Sequence, residues 1–246
     1  MHEWSRAEIY RGLKDERLCT ESANHMEKLK LSNLNLVDLK RHVALTERPG
    51  IQYEWLRVDD IELSERENRY VDDLQIGLQR VQVHLFNEAT LWARAIYPLL
   101  QLAEQDNIQI WAEVGLSARY ALFELEGIAD GVMGPSFAGR IQCPYFVMVE
   151  TKRGVENTNP IFQLYGQLLA AAWLNDQLKE QDTQEIFGCF TIADSWTFVR
   201  GEVSAITSDR PTLTVEFSPE YAEKFDAPKI LRILKQIIGR SILRFK

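Results

Sequence analysis

The sequence predicts an α/β fold in which helices flank a central mixed β-sheet. Two observations predict it. Apolar runs of strand length cluster between residues 108 and 217, and segments with helical spacing stand before, within and after them. The order is helix, three strands, helix, strands, helix. Consecutive strands followed by a helix and a further strand give a mixed sheet, whereas strict strand-helix alternation would give a doubly wound one.

Residues 1–84 read as a mainly helical N-terminal extension packed on a main domain of residues 85–246. In the extension, SNLNLVDLKRHVALTERPG predicts a helix capped by Ser32 or Asn33 and closed by Pro49-Gly50, and residues 64–82 predict a second helix. FNEATLWARAIYPLLQLAEQ predicts a helix disturbed at Pro98, which has no amide hydrogen to donate. IQIWAEV, RYALFELEGIADGVMG and PYFVMVETKRG predict three strands, the second running into a Gly-rich turn. Asn159 predicts the cap of the next helix, with Pro160 in its first turn. EIFGCFTIAD, WTFVRGEV and PTLTVEF predict further strands, and a basic C-terminal helix starts near Ala227-Pro228.

Hydrophobic residues at 46% and charged residues at 26% are ordinary for a globular chain. The longest apolar run, Leu168 to Leu174, is too short for a bilayer, and MHEWSRAEIY has no apolar signal core. A cytoplasmic protein without a membrane partner is the expectation. Cys19, Cys143 and Cys189 are odd in number and scattered, which suits free thiols in a reducing compartment.

The net charge of −8 excludes a generic nucleic-acid coat. Residues 108–227 carry 17 acidic and 8 basic groups, while residues 228–246 carry Lys229, Arg232, Lys235, Arg240, Arg244 and Lys246 and no acid. Those cations can contact phosphates or serve their own helix, whose C-terminal dipole they favour. The stripe of Ile230, Ile233, Leu234, Ile237 and Ile238 favours the second reading.

The chemistry gathers around Glu150-Thr151-Lys152 at the end of an apolar strand. Alternation places Glu150 and Lys152 on one face and Thr151 on the other. A carboxylate can hold a hard cation, and an adjacent lysine can orient water or stabilise a developing anion. An exposed ion pair is the ordinary explanation of such a motif. Asp130, twenty positions earlier beside Gly131, ends the preceding strand; it brings a second carboxylate to the same place, or merely opens an Asp-Gly turn. Glu88 lies early in its helix, in line with Trp92, Ala95 and Leu99, and either faces the sheet edge or favours the helix N-terminus. Gln163 and Gln167 share a helix face four residues apart. An amide there can fix a water or a phosphate oxygen, although ordinary polar decoration is the slightly favoured reading of Gln167. His2, His25, His42 and His84 all precede the strands, so a histidine-based site is not expected.

Glu88 in NEATLWARAIYPLL, Asp130 in GIADG, Glu150 and Lys152 in VMVETKRG and Gln163 in FQLYGQLLAAA follow the motif order of the PD-(D/E)XK nuclease superfamily. Over roughly residues 85–200 the chain resembles the N-terminal nuclease domain of type I restriction motor subunits and related stand-alone bacterial proteins. Two positions depart from many relatives: Ala129 stands where proline precedes the aspartate, and Gln167, with Tyr165 nearby, stands where a tyrosine follows the glutamine.

The resemblance implies a restriction-endonuclease-like helix-strand-strand-strand-helix-strand core. It implies Mg²⁺ or Mn²⁺ held by Asp130 and Glu150 with help from the Thr151 carbonyl, water positioned or activated by Lys152, and support from Glu88 and Gln163. The expected function is metal-dependent hydrolysis of phosphodiester bonds, with nucleic acid, DNA first, as partner and a second copy of the chain as a further candidate. The alternative is a non-catalytic nucleic-acid-binding or assembly module that keeps the fold. No G-x-x-x-x-G-K-[ST] loop is present, so a nuclease here acts without its own motor.

Overall fold

The computed structural model describes residues 26–48, 53–154 and 159–245. Cys19, the helix end expected at Pro49-Gly50, and Lys246 lie outside the described residues, as does the N-terminal stretch through His25.

The strands are β1 (Glu27–Lys30), β2 (Ala44–Arg48), β3 (Ile108–Arg119), β4 (Phe123–Phe137), β5 (Arg140–Ile141), β6 (Val147–Lys152), β7 (Thr183–Ile192), β8 (Ser195–Ser204) and β9 (Thr212–Ala222). The helices are α1 (Leu36–His42), α2 (Glu65–Gln79), α3 (Glu88–Leu91), α4 (Tyr97–Leu102), α5 (Pro160–Leu178) and α6 (Glu223–Phe245). The strands form one mixed sheet in the order β1-β4-β6-β7-β8-β9-β2, with β3 and β5 also paired to β4. β1–β4, β6–β7 and β2–β9 are parallel; β3–β4, β4–β6, β7–β8 and β8–β9 are antiparallel.

The described part of the N-terminal region adds two strands to the expected helices. EKLK and ALTER become β1 and β2 on the flanks of the sheet. Both are too short to show a period, and pairing with β4 and β9 decides their conformation. Between them α1 is capped by Asn35, which accepts the Val37 and Asp38 amides, while Ser32 and Asn33 lie in a 3-10 turn. α2 does start as the sequence predicts: Ser64 and Glu67 cap it reciprocally.

Two apolar layers cover the sheet. On one face β1, the Leu31 turn, α1 and α5 enclose Leu125, Ala129, Met148, Leu164, Leu168, Ile186 and Val199. On the other, α2, α3, α4 and α6 enclose Leu91, Leu99, Val147, Val149, Phe187 and Ile230. α5 is apolar nearly all round because sheet and N-terminal segment bury it from two sides. Each fully buried leucine contributes about 1.5–3 kcal/mol there. Gly166 lets the Leu31 turn approach α5, since a Cβ would stand 2.6 Å from Leu31 Cδ2.

The disturbance expected at Pro98 is a π-helical turn, Trp92–Ile96, that joins α3 to α4. Widening the turn relieves the clash of the proline ring with the preceding carbonyls. Among the described residues, no helix is long and apolar enough to cross a membrane.

A candidate metal centre at a fork in the sheet

The site sits where β4 changes partner. β4 pairs with β1 through residues 123–126 and with β6 through residues 131–133. Asp130 falls in the gap, at the position that would face Glu150 if the β4–β6 register ran one step further. β6 continues alongside β7 as far as Lys152, so one edge of Glu150-Thr151-Lys152 faces the opening fork. The carboxylate of Asp130 fills that edge: its Oδ2 accepts the Thr151 amide at 2.7 Å.

The side chains divide between the sheet's two faces as alternation requires. Val147 and Val149 belong to the α3–α4 face and Met148 to the α5 face. Glu150 accordingly meets α5: its Oε2 accepts the Nε2 amide of Gln167 at 2.6 Å, and the residue is fully buried at 0% exposure. Thr151 meets the other side, lining an open cleft of about 460 Å³ with Glu88, Ala89, Trp92, Ala112, Glu113 and Asp130. Lys152 closes the cluster, its Nζ 2.5 Å from Glu150 Oε1 and 3.9 Å from Glu88 Oε1. The closer contact is an ion pair that engages Glu150 Oε1.

Asp130, Thr151, Glu150 and Lys152 are thus drawn together, with Glu88 at the rim on the first residue of α3. Gln163 is the exception. The amide that reaches Glu150 is that of Gln167, one turn further along α5, while Gln163 remains half-buried. Gln167 lies between Leu164 and Ala171 in the buried middle of α5, and Gln163 sits in the first turn, beside the helix cap. Tyr165 points elsewhere, donating to Glu47 of β2 at 2.6 Å.

Burial, and then the charge of Asp130, push the Glu150 carboxyl up to about 7, against the opposing pull of Lys152 and Gln167. Burial also raises Asp130, partly offset by the Thr151 amide and Lys152. Burial alone would lower the Lys152 ammonium, but Glu150, Asp130 and Glu88 outweigh it and raise it. A plain ion pair would raise its ammonium and pull its carboxylate down, yet here both groups are raised. We favour a cluster that holds an extra proton because two buried carboxyls share one ammonium.

Among the described residues, no three His, Cys, Asp or Glu side chains converge as a ready-made metal cage. The donor set nevertheless fits Mg²⁺, which binds through one or two carboxylates and keeps several waters. Asp130 and Glu150 supply the oxygens, and Glu150 Oε1 already holds a positive charge, the Lys152 ammonium.

The phosphate-facing alternative for the C-terminal helix finds little support, and the favoured structural role agrees with the contacts. Arg240 and Arg244 bind Glu185, Lys235 pairs with Glu67, Arg232 donates to the Ile61 carbonyl, and Lys229 lies over the Tyr221 ring. These cations hold the fold together. No protein-family model matches the chain, and no curated protein matches it in sequence.

Proposed function

We propose that the chain is a divalent-metal-dependent phosphodiesterase acting on nucleic acid, with DNA the first substrate to test. The supporting observation is the meeting of Asp130, Glu150 and Lys152 at the fork, beside an open cleft with Glu88 at its rim.

Asp130 and Glu150 would hold Mg²⁺ or Mn²⁺, and the bound ion would polarise a phosphodiester and acidify a water. Asp130 is fixed by the Thr151 amide and Glu150 by Gln167, so neither carboxylate needs to reorganise to accept a cation. Glu150 would then serve as a ligand and no longer as the close partner of Lys152. The released ammonium, 3.9 Å from Glu88 and only 14% exposed, is then placed to orient the attacking water or to meet charge developing on the phosphoryl oxygens. The Thr151 carbonyl and Gln163, which the family resemblance also implicates, remain secondary candidates. A cytoplasmic location and self-association belong to the same proposal.

The alternative, an assembly module keeping this fold, draws on one observation: the C-terminal cations are engaged internally, which leaves less positive surface for phosphates. Incubation with single-stranded, double-stranded and branched DNA and with RNA, in Mg²⁺ or Mn²⁺, tests the proposal. Cleavage that EDTA abolishes is expected. Mn²⁺ bound at Asp130 and Glu150 with every substrate intact would favour the module.

A further inference from the structure

The residue opposite Asp130 on its other side is Glu113 of β3. The β3–β4 ladder pairs Ala112 with Gly131 and Val114 with Ala129, so its register sets Glu113 against Asp130, yet that pair is unbridged. Glu113 has φ +53° in mid-strand, a left-handed conformation that is costly for a residue with a Cβ.

Both strands change faces here. In β3, Ile108 and Ile110 face the α3–α4 layer, whereas Leu116 and Ala118, of the same parity, face α5. In β4, Phe123, Leu125 and Ala129 face α5, while Gly131 meets Trp92 and Met133 joins the opposite layer. A local irregularity of this kind re-aims a side chain, and such irregularities gather beside active sites. Glu113 lines the same cleft as Asp130, Glu88 and Thr151. Thr151, only 1% exposed, keeps an Oγ1 without a hydrogen-bond partner among the described residues at that cleft wall. The charge of Glu113 also helps to raise the Asp130 carboxyl, as one of its smaller influences.

We propose that Glu113 is a further cation-holding carboxylate of this centre, accepting hydrogen bonds from the waters of a divalent cation bound at Asp130. The inference rests on the metal-site reading above and extends it to a third strand. β3, β4 and β6 then each contribute one acid in a row across the sheet, and the strained backbone of Glu113 keeps its carboxylate at the cleft.

The test is Mn²⁺ binding to the full chain, followed by the loss of the free-ion paramagnetic resonance signal, for wild type, Glu113→Gln, Glu113→Gly and the exposed control Glu180→Gln. Outer contacts of this kind typically set metal affinity by ~10–100-fold, and that weakening is expected in both Glu113 variants and not in the control. Both variants should unfold no earlier than wild type without metal, since glycine suits the positive φ and glutamine keeps the shape. Wild-type binding that Glu113→Gln and Glu113→Gly leave unchanged overturns the role of Glu113 and leaves Asp130 and Glu150 as the site. Absence of Mn²⁺ binding by the wild type overturns the metal-site reading itself.

Discussion

Gln167 donates its amide to Glu150 at 2.6 Å, joining the helix that follows β6 to the carboxylate that β6 carries. Both residues are fully buried, so this bond holds the carboxylate in place. Gln167→Leu should destabilise the fold by about 1–3 kcal/mol, the cost of leaving a buried acceptor without its donor. It should also weaken Mn²⁺ binding. Gln163→Ala should change both much less. Urea unfolding with and without Mn²⁺ separates the two glutamines, and equal effects would count against the assignment of Gln167.

The raised carboxyl of Glu150 makes stability depend on pH with a definite sign. Between its ordinary value of 4.5 and about 7, the folded chain holds a proton that the unfolded chain has lost. This group's contribution to stability therefore falls as pH rises through that window and is fully lost above about 7. Asp130, also raised, acts in the same direction. Glu150→Gln, which does not titrate, should show a flatter stability profile and exceed wild type at pH 8 in EDTA. Mn²⁺ at pH 8 should stabilise the wild type and not the variant. Chemical denaturation from pH 5 to 8 checks both statements, and parallel profiles would contradict them.

Glu185 shows the opposite behaviour. Burial alone would raise its carboxyl, but Arg240 and Arg200 outweigh burial and hold it below the ordinary range. Its contribution is present above pH 4.5 and is lost as pH falls through the depressed value. Glu185→Gln deprives Arg200, Arg240 and Arg244 of their shared anion, but Arg200 keeps Glu202 and Glu216 and Arg240 is 40% exposed, so the cost should be about 1.5–3 kcal/mol, the worth of a hydrogen bond to a charged group. Its pH profile should flatten on the acid side. Thermal unfolding at pH 4 and pH 7 reads both effects.

Why some of this was legible in the sequence and some was not follows from the physics of each element. α5 announces itself through Asn159, Pro160 and a long apolar run, and β6 through an unbroken apolar strand ending in an acid and a lysine. Glu150 and Lys152 follow from that strand end, because alternation and termination are local properties; Asp130, expected to end its strand at a Gly-rich turn, lies in mid-β4, because pairing with β3 carries the strand on through Gly131 to Phe137. β1 and β2 were hidden, since strands of four and five residues take their conformation from partners more than ninety positions away. Gln163 and Gln167 share a face, so the choice between them depends on how far α5 is advanced along the sheet. Packing of Leu164, Leu168 and the Leu31 turn fixes that position. Glu113 gave no signal, because nothing in IQIWAEV marks a left-handed residue; the reversal of faces at Asp130 exists only once β3 and β4 have paired.

The central claim is that Lys152 acts on water or developing charge at a cation held by Asp130 and Glu150. The most direct measurement follows DNA cleavage and Mn²⁺ binding side by side in wild type, Lys152→Ala and Glu150→Ala. Loss of the ammonium should lower cleavage by at least ~10²–10³-fold, as for a missing electrostatic stabiliser. Mn²⁺ affinity should be kept or improved, because Lys152 competes with the cation for Glu150 at 2.5 Å. Glu150→Ala should lose both. Metal-dependent cleavage that survives Lys152→Ala at the wild-type rate would contradict the account.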